Sequence, residues 1–488
     1  MFIGIDIGTT ATKAILIDEA QSVLARATHT YEYTSRSAGY AEQHPQIWID
    51  AARHCLAQLR EESSQAYTAT KAMSFSGQMH SLVALDGDHK PIRPAMLWND
   101  ARGQAQANEL GQLAPDIENI SGAAAMPSFT ASKLLWMRQN EDDLFGKIKH
   151  ILLPKDFLRL WLTGNLGTDH SDAAGTQLYD QRLRTWSNTV LDAVGLNLNA
   201  LPPIYESSAS AGKLRKGLAA ELGLSADCEI IVGGADTAAG ASGLGCISAG
   251  DSFVSLGTGS IFATITDGYQ PTTKGFLHNF AHCLPRQYYR MSAMLNGASC
   301  LAWAARLIGT DDIGQLLKAV ESGFAGPSRV MFIPYLNGER TPHNNADLRG
   351  SLLGLDSASD KLDIVQAVVE GVSFCLRDAM QAMGLDASKL GVVGFIGGGA
   401  KSPFWAKILA SVLDAPLAKY ESADLWPALG AARLAMLSSN EDQLSAIAKK
   451  PKIETIVQPD KELVSAYAER HRAYQSARQF SFDFAKLK

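Results

Sequence analysis

Cysteine is scarce, with six in 488 residues at positions 55, 228, 246, 283, 300 and 375 and no CxxC pair among them. That scatter argues against a disulfide framework and a structural zinc site and fits a reducing, cytoplasmic compartment; each thiol reads as a small buried apolar residue. Long apolar runs are missing too. None approaches the ~18 residues of a membrane span. The N-terminus reaches Asp6 at once, with no positive segment before it, so it does not read as a secretory signal. There is no basic excess: a net charge of −6 leaves no electrostatic footprint for nucleic acid. Low-complexity tracts and short-period arrays are absent as well. What remains is an ordinary globular composition, 46% apolar and 19% charged, in a chain too long for a single core. Roughly two to four domains are expected.

The stretch that organises this chain is Phe2-Ile3-Gly4-Ile5-Asp6-Ile7-Gly8-Thr9-Thr10, continuing to Asp18. Two apolar runs flank a Gly/Thr turn, the pattern of a β-hairpin. Asp6 interrupts the first run, where a bare carboxylate is costly without a cation or donors. The turn offers backbone N–H groups and hydroxyls with no bulky Cβ in an anion's way. The pairing suggests a divalent metal on Asp6 and phosphate oxygens on Gly8, Thr9 and Thr10. An ordinary hairpin with Asp6 in a solvated turn fits the same residues. The theme returns at Asp251-Ser252-Phe253-Val254-Ser255-Leu256-Gly257-Thr258-Gly259-Ser260, again strand, Gly/Thr turn, strand. This echo suggests two related lobes, each presenting a phosphate-binding hairpin, with a boundary near Gly245–Gly250.

Other strand ends carry polar chemistry. Residues 71–76 read as a strand ending in Gly77-Gln78-Met79-His80, at the position where α/β sheets place ligands. Leu97-Trp98-Asn99-Asp100-Ala101-Arg102 joins an aromatic face, an amide, a carboxylate and a guanidinium, a mixture suited to a sugar, although Asp100 and Arg102 also read as an ion pair. Residues 229–232 form an apolar strand that stops at Gly233-Gly234. Asp236 follows at a helix start and is readable either as an exposed acid–base group or as a helix cap. In the second half, residues 362–383 carry the apolar face of a long helix. Val392–Ile396 runs into Gly397-Gly398-Gly399-Ala400-Lys401, which permits close approach of a flat ligand or is only a tight turn. Residues 427–435 read as a close-packed small-residue helix, 440–460 as a surface connection, and 461–480 as a final helix.

Taken in order, these motifs resemble those of the FGGY carbohydrate kinases, and within them the xylulose-kinase branch. The resemblance covers nearly the whole chain. It rests on Asp6-Ile7-Gly8-Thr9-Thr10, Gly77-Gln78-Met79-His80, Leu97-Trp98-Asn99-Asp100, Lys133-Leu134-Leu135-Trp136, Pro154-Lys155-Asp156, Ser171-Asp172-Ala173-Ala174-Gly175-Thr176, Gly234-Ala235-Asp236, Ser255-Leu256-Gly257-Thr258, Gly338-Glu339-Arg340-Thr341-Pro342-His343-Asn344 and Gly397-Gly398-Gly399-Ala400. It implies an α/β protein of two actin-like (ribonuclease H-like) lobes with an interlobe active-site cleft: residues 1–246 binding mainly sugar, residues 247–488 mainly ATP. The implied reaction is ATP-dependent phosphorylation of D-xylulose at O5.

By the same resemblance, Asp236 is the general base and a sugar contact, Met79, His80 and Trp98 are further sugar contacts, and Asp6 holds Mg²⁺. Gly8, Thr9 and Thr10 face Thr258 and Gly259 across the phosphates, and Gly398, Gly399 and Lys401 form the adenine side. The implied partners are a small sugar and ATP, with no nucleic acid and no membrane; a homodimer is left open. Two departures stand out. The family commonly follows the catalytic Asp with Asn, where this chain has Thr237, and the string Phe-Gly-Gly-Tyr does not occur. Alternatives are a kinase for ribulose, gluconate, glycerol or another polyol, and an actin- or chaperone-like ATP-driven switch.

Overall fold

The computed structural model describes residues 1–37, 39–271, 275–421, 425–438 and 449–487. Its first sheet is built on the opening hairpin. Strands β1 (Phe2–Ile7) and β2 (Ala11–Ile17) pair antiparallel from Phe2↔Ile17 to Ile7↔Thr12. β3 (Val23–Thr30) extends the sheet beyond β2. On the other side, β4 (Ala72–Gly77) runs parallel to β1, followed by β5 (Ser210–Lys213), β6 (Glu229–Ile231) and the short β7 (Gly234–Ala235), which also pairs with β4. The order is β5-β6-β4-β1-β2-β3. The β1 and β4 runs are almost wholly buried because both faces of these central strands are covered. Ile3, Ile5 and Ile7 share a core with Trp48, Leu56 and Leu59 of α1 (Gln46–Glu62).

The second sheet repeats the wiring. β8 (Ser252–Leu256) and β9 (Ser260–Thr266) form a hairpin, flanked on one side by β10 (His278–Ala281) and β11 (Tyr288–Met294). On the other side β12 (Val393–Ile396) and β13 (Leu417–Tyr420) run parallel and β14 (Ile453–Val457) antiparallel. The stretch 440–460 was expected to be a surface connection; its part through 448 lies outside the described residues, but Ile453–Val457 is an edge strand. Its side chains are mostly exposed, so it lacks the buried alternation that marks a strand in sequence.

The two sheets are joined through helices. α2 (Asp236–Gly243) leaves β7, and after a short connection the chain enters β8. α3 (Lys361–Ala382), opened by a reciprocal Asp360/Asp363 cap, fills the second core. α4 (Trp426–Leu437) comes from the second half of the chain but packs on β1, β4 and α2 of the first. Glycines make that approach possible. A Cβ on Gly4 would stand 1.9 Å from Ala428 O, and one on Gly430 1.8 Å from Ala239 O. α5 (Lys461–Ala477) matches the helix expected over 461–480, but it is not the final one: a shorter helix, Gln479–Ala485, follows it. No helix among the described residues is long and apolar enough to cross a membrane.

Candidate active site at the strand ends

Asp6 and Asp236 flank the end of β4. Asp6 pairs in register with Ser76, and Ala235, just before Asp236, with Gly77. Asp236 is the first residue of α2, and the cap position belongs to Ala235, without a side-chain bond. The Asp236 carboxylate instead accepts from the Thr237 backbone N–H at 2.6 Å and from its hydroxyl at 3.2 Å. It is therefore not spent as a helix cap, and Thr237 orients it. The turn is pinned from below: Ala235 N–H donates to Ser171 Oγ at 2.9 Å, Ser171 donates to Asp169, and Asp169 also accepts from Ser207 at 2.7 Å.

Burial pushes the Asp236 carboxyl up to about 7, and the charge of Asp6 adds to the effect. Burial likewise raises Asp6 to about 6, against the opposing pull of the Ser76 hydroxyl and Lys13. Asp6 Oδ1 is buried with no hydrogen-bond partner. A carboxylate that titrates near neutrality at a strand end is suited to accept a proton at physiological pH. Behind the pair, Lys155 Nζ bridges Asp156 at 2.6 Å and Asp169 at 2.9 Å in full burial. Asp172, 3.5 Å from the same ammonium, is driven well above the carboxylate range by its own desolvation.

The loop after β4 turns at His80, whose φ of 67° lies in the left-handed region. His80 Nδ1 is 2.6 Å from the carbonyl oxygen of Gly175. A carbonyl only accepts, so Nδ1 carries the proton and Nε2 keeps a free lone pair. Burial, with the charges of Lys133 and Arg340, lowers His80 to about 3, so the ring is neutral. Its carbonyl is held by Lys133 Nζ at 2.8 Å and Thr130 Oγ1 at 3.1 Å. Lys133 is fully buried, and desolvation lowers it to about 7. Met79 packs beside His80 on Gly175, where a Cβ would come within 2.8 Å of Met79 Cε, and Tyr289 Oη reaches Met79 Sδ at 3.6 Å. Trp98 is 39% exposed, and its indole N–H donates to Thr9 Oγ1 at 2.8 Å, so it bridges the loop at 97–102 to the first hairpin tip. Asp100 and Arg102 form a buried ion pair with Glu42, a structural role.

Both hairpin tips are braced. Tyr31 Oη donates to Gly8 O at 2.8 Å, and Gln43 Nε2 to Thr9 O at 3.3 Å. In the second tip, Ala298 N–H donates to Gly257 O at 2.8 Å and Ser299 Oγ to Thr258 O at 2.7 Å. Beside that tip opens a largely apolar cavity of about 690 Å³, walled by Thr258, Gly398, Gly399, Lys401 and the helix Ile313–Ser322. Its size suits a nucleoside. Gly397, at φ 90°, makes the sharp turn that brings Gly398 to the wall. Gly259 is not on that wall; a Cβ there would stand 2.5 Å from Met294 O, so its small size serves packing. Sequence reasoning gave no role to Lys133, Tyr31, Gln43 or Arg340. Lys133 and Arg340 stood inside quoted motifs, but the hold of Lys133 on the His80 carbonyl spans 53 positions and leaves no local signal.

The model of the N-terminal domain of the FGGY family of carbohydrate kinases matches residues 1–243, and that of its C-terminal domain residues 252–439. The chain is 37% identical over 476 residues to the xylulose kinase of Escherichia coli K12, covering 97% of this chain and 98% of that one. A solved xylulose kinase from Brucella ovis superposes with a TM-score of 0.93 at 38% identity, covering 98% of each chain. A gluconate kinase from Lactobacillus acidophilus gives a TM-score of 0.92 at 25% identity, covering 100% of this chain and 99% of that one.

Proposed function

Because the chain belongs to the FGGY family of carbohydrate kinases, we propose that it transfers the terminal phosphoryl group of ATP to the O5 hydroxyl of D-xylulose. One observation carries the assignment of roles. Asp236 is a carboxyl raised to about 7, free of cap duty, beside the end of β4 that leads into Met79 and His80. In-line phosphoryl transfer needs chiefly alignment and charge stabilisation. Asp236 orients the attacking hydroxyl and takes its proton as the new O–P bond forms. The neutral His80 accepts a sugar hydroxyl at Nε2, and Met79 supplies apolar wall. The tip of Gly8, Thr9 and Thr10 and the tip at Thr258 offer N–H and O–H donors to the phosphates. Gly398, Gly399 and Lys401 line the nucleoside end.

Asp6 fits a Mg²⁺ role, because its buried Oδ1 has no donor to satisfy it. No cluster of three or more His, Cys, Asp or Glu side chains suited to a metal occurs among the described residues, so most ligands would be phosphate oxygens and water. When bound, the ion would neutralise charge on the phosphates. We keep the division at residues 246 and 247 and the cytoplasm as compartment; six buried free thiols support the latter.

The test is a panel of ketoses and polyols, gluconate and glycerol included, with coupled detection of ADP. Sugar-dependent ADP release should be greatest with D-xylulose, and Asp236→Ala should lower it by about 10³-fold while ATP still binds. Preference for gluconate would move the assignment to another member activity, and sugar-independent ATP turnover would overturn it.

A further inference from the structure

One face of the hairpin β10–β11, from the second half of the chain, covers the Met79–His80 loop of the first. Phe280 and Tyr289 stand directly opposite each other in register, and His278 lies two residues before Phe280, so the three rings share that face. Phe280 and His278 meet the His80 ring edge-on, with centroids 6.2 and 6.5 Å away. Tyr289 is buried, and its ring is held edge-on by Phe280 at 6.1 Å and by His282 at 6.2 Å. Two rings of the face thus lie against the imidazole, and the third reaches Met79.

The Tyr289 hydroxyl donates to Met79 Sδ at 3.6 Å. A thioether is a weak acceptor, and a buried phenol ordinarily finds a stronger one. Here the hydroxyl is committed to the side chain expected against the substrate. Methionine has three rotatable bonds and wanders unless it is held. Met79 is held at two points: Tyr289 fixes its sulfur, and its terminal methyl lies over Gly175, where a Cβ would come within 2.8 Å of Met79 Cε. The Gly175 carbonyl also anchors His80 Nδ1 at 2.6 Å, so both side chains of the loop are seated on one residue. Asp236 is held by Thr237, so the proton acceptor does not depend on this phenol.

We propose that Tyr289 is a positioning residue for the sugar site: its hydroxyl, supplied by the second half of the chain, fixes the Met79 thioether so that the side chain meets the substrate as a preformed wall. The proposal rests on the kinase reading above and on Met79 as a sugar contact. A wall already ordered costs nothing to order when the sugar binds. Without the hydroxyl the sugar must immobilise Met79 itself. Affinity then falls, while phosphoryl transfer from the bound complex proceeds as before.

The experiment compares wild type, Tyr289→Phe, Met79→Leu and the double variant, by kinetics on D-xylulose and ATP and by calorimetric titration of D-xylulose without nucleotide. Tyr289→Phe removes one oxygen and keeps the ring, so the packing against Phe280 and His282 survives. Its KM and Kd for D-xylulose should rise about 3–10-fold, while kcat at saturating sugar and the KM for ATP stay within about 2-fold. Met79→Leu keeps an apolar side chain but offers no acceptor, so adding Tyr289→Phe to it should weaken sugar binding by less than about 2-fold more. A purely structural phenol would lower affinity equally in both backgrounds, and that result would overturn the proposal. Unchanged sugar affinity in Tyr289→Phe would also overturn it, as would a loss confined to kcat or to the KM for ATP. Failure of the kinase reading is separate: wild type would then show no sugar-dependent ADP release.

Discussion

The two hairpins share one backbone plan and differ in what they offer. Asp6-Ile7-Gly8-Thr9-Thr10 occupies in the first sheet the place of Ser255-Leu256-Gly257-Thr258-Gly259 in the second. Each hairpin's first strand then pairs in parallel with a later strand, β4 or β12. One of these ends in Gly77-Gln78-Met79-His80, the other in Gly397-Gly398-Gly399-Ala400. Where the first half places a carboxylate, an amide and an imidazole, the second places a hydroxyl and bare backbone. The duplicated wiring sets positions; the side chains divide the labour between chemistry and nucleotide seating.

The sharpest way to break this asymmetry is to erase it at its largest difference. Asp6→Ser gives the first hairpin the second hairpin's residue. Turnover should fall by about 10²-fold or more, with sugar and ATP binding little changed, in the coupled ADP assay. The counterpart Ser255→Ala should change kcat by less than about 5-fold; equal losses would mean the hairpins are chemically equivalent.

A smaller effect tests the bare backbone. Nothing lies within 4 Å of a Cβ built on Gly398, so Gly398→Ala should leave the melting temperature unchanged. The added methyl enters the cavity, so the KM for ATP should rise about 10-fold while that for sugar holds. Gly399→Ala should differ, because its Cβ would stand 2.4 Å from Leu256 Cδ2 and disturb packing.

The smallest effect concerns pH. Asp236 titrates at about 7 when folded against an ordinary 3.8, so the folded state holds a proton that the unfolded chain has already lost. Stability therefore falls as pH rises through that window, and Asp6, at about 6, adds in the same sense. Asp236→Asn should melt roughly 1–3 °C above wild type at pH 8, the gap narrowing towards pH 5. A lower melting temperature at pH 8 would show that the carboxylate is stabilised, not strained, in this site.

Much of this was legible in the residues. Both hairpins, the strand ends at Gly77 and Gly397, and helices α3 and α5 announce themselves by periodicity and glycine. So does Asp236, whose glycine-marked strand end survives in the structure. What sequence could not give is long-range: the Trp98–Thr9 bond spans 89 positions, and the grip of Lys133 on the His80 carbonyl spans 53. Strand β14 escaped because an exposed edge has no apolar face to display.

The glycine seam has a mechanical consequence. At Gly4, Gly430 and Gly243, backbone meets backbone, with Trp426 O only 2.4 Å from where a Cβ on Gly243 would stand. Around these contacts Trp426, Ala428 and Ala432 pack against Ala235, Ala238 and Ala241, and the Arg433 guanidinium donates to the carbonyls of Ser242 at 2.6 Å and Gly243 at 3.0 Å. A joint this tight ties the last third of the chain to its first strand, and a single methyl wedged in at Gly4 or Gly430 would force helix and sheet apart.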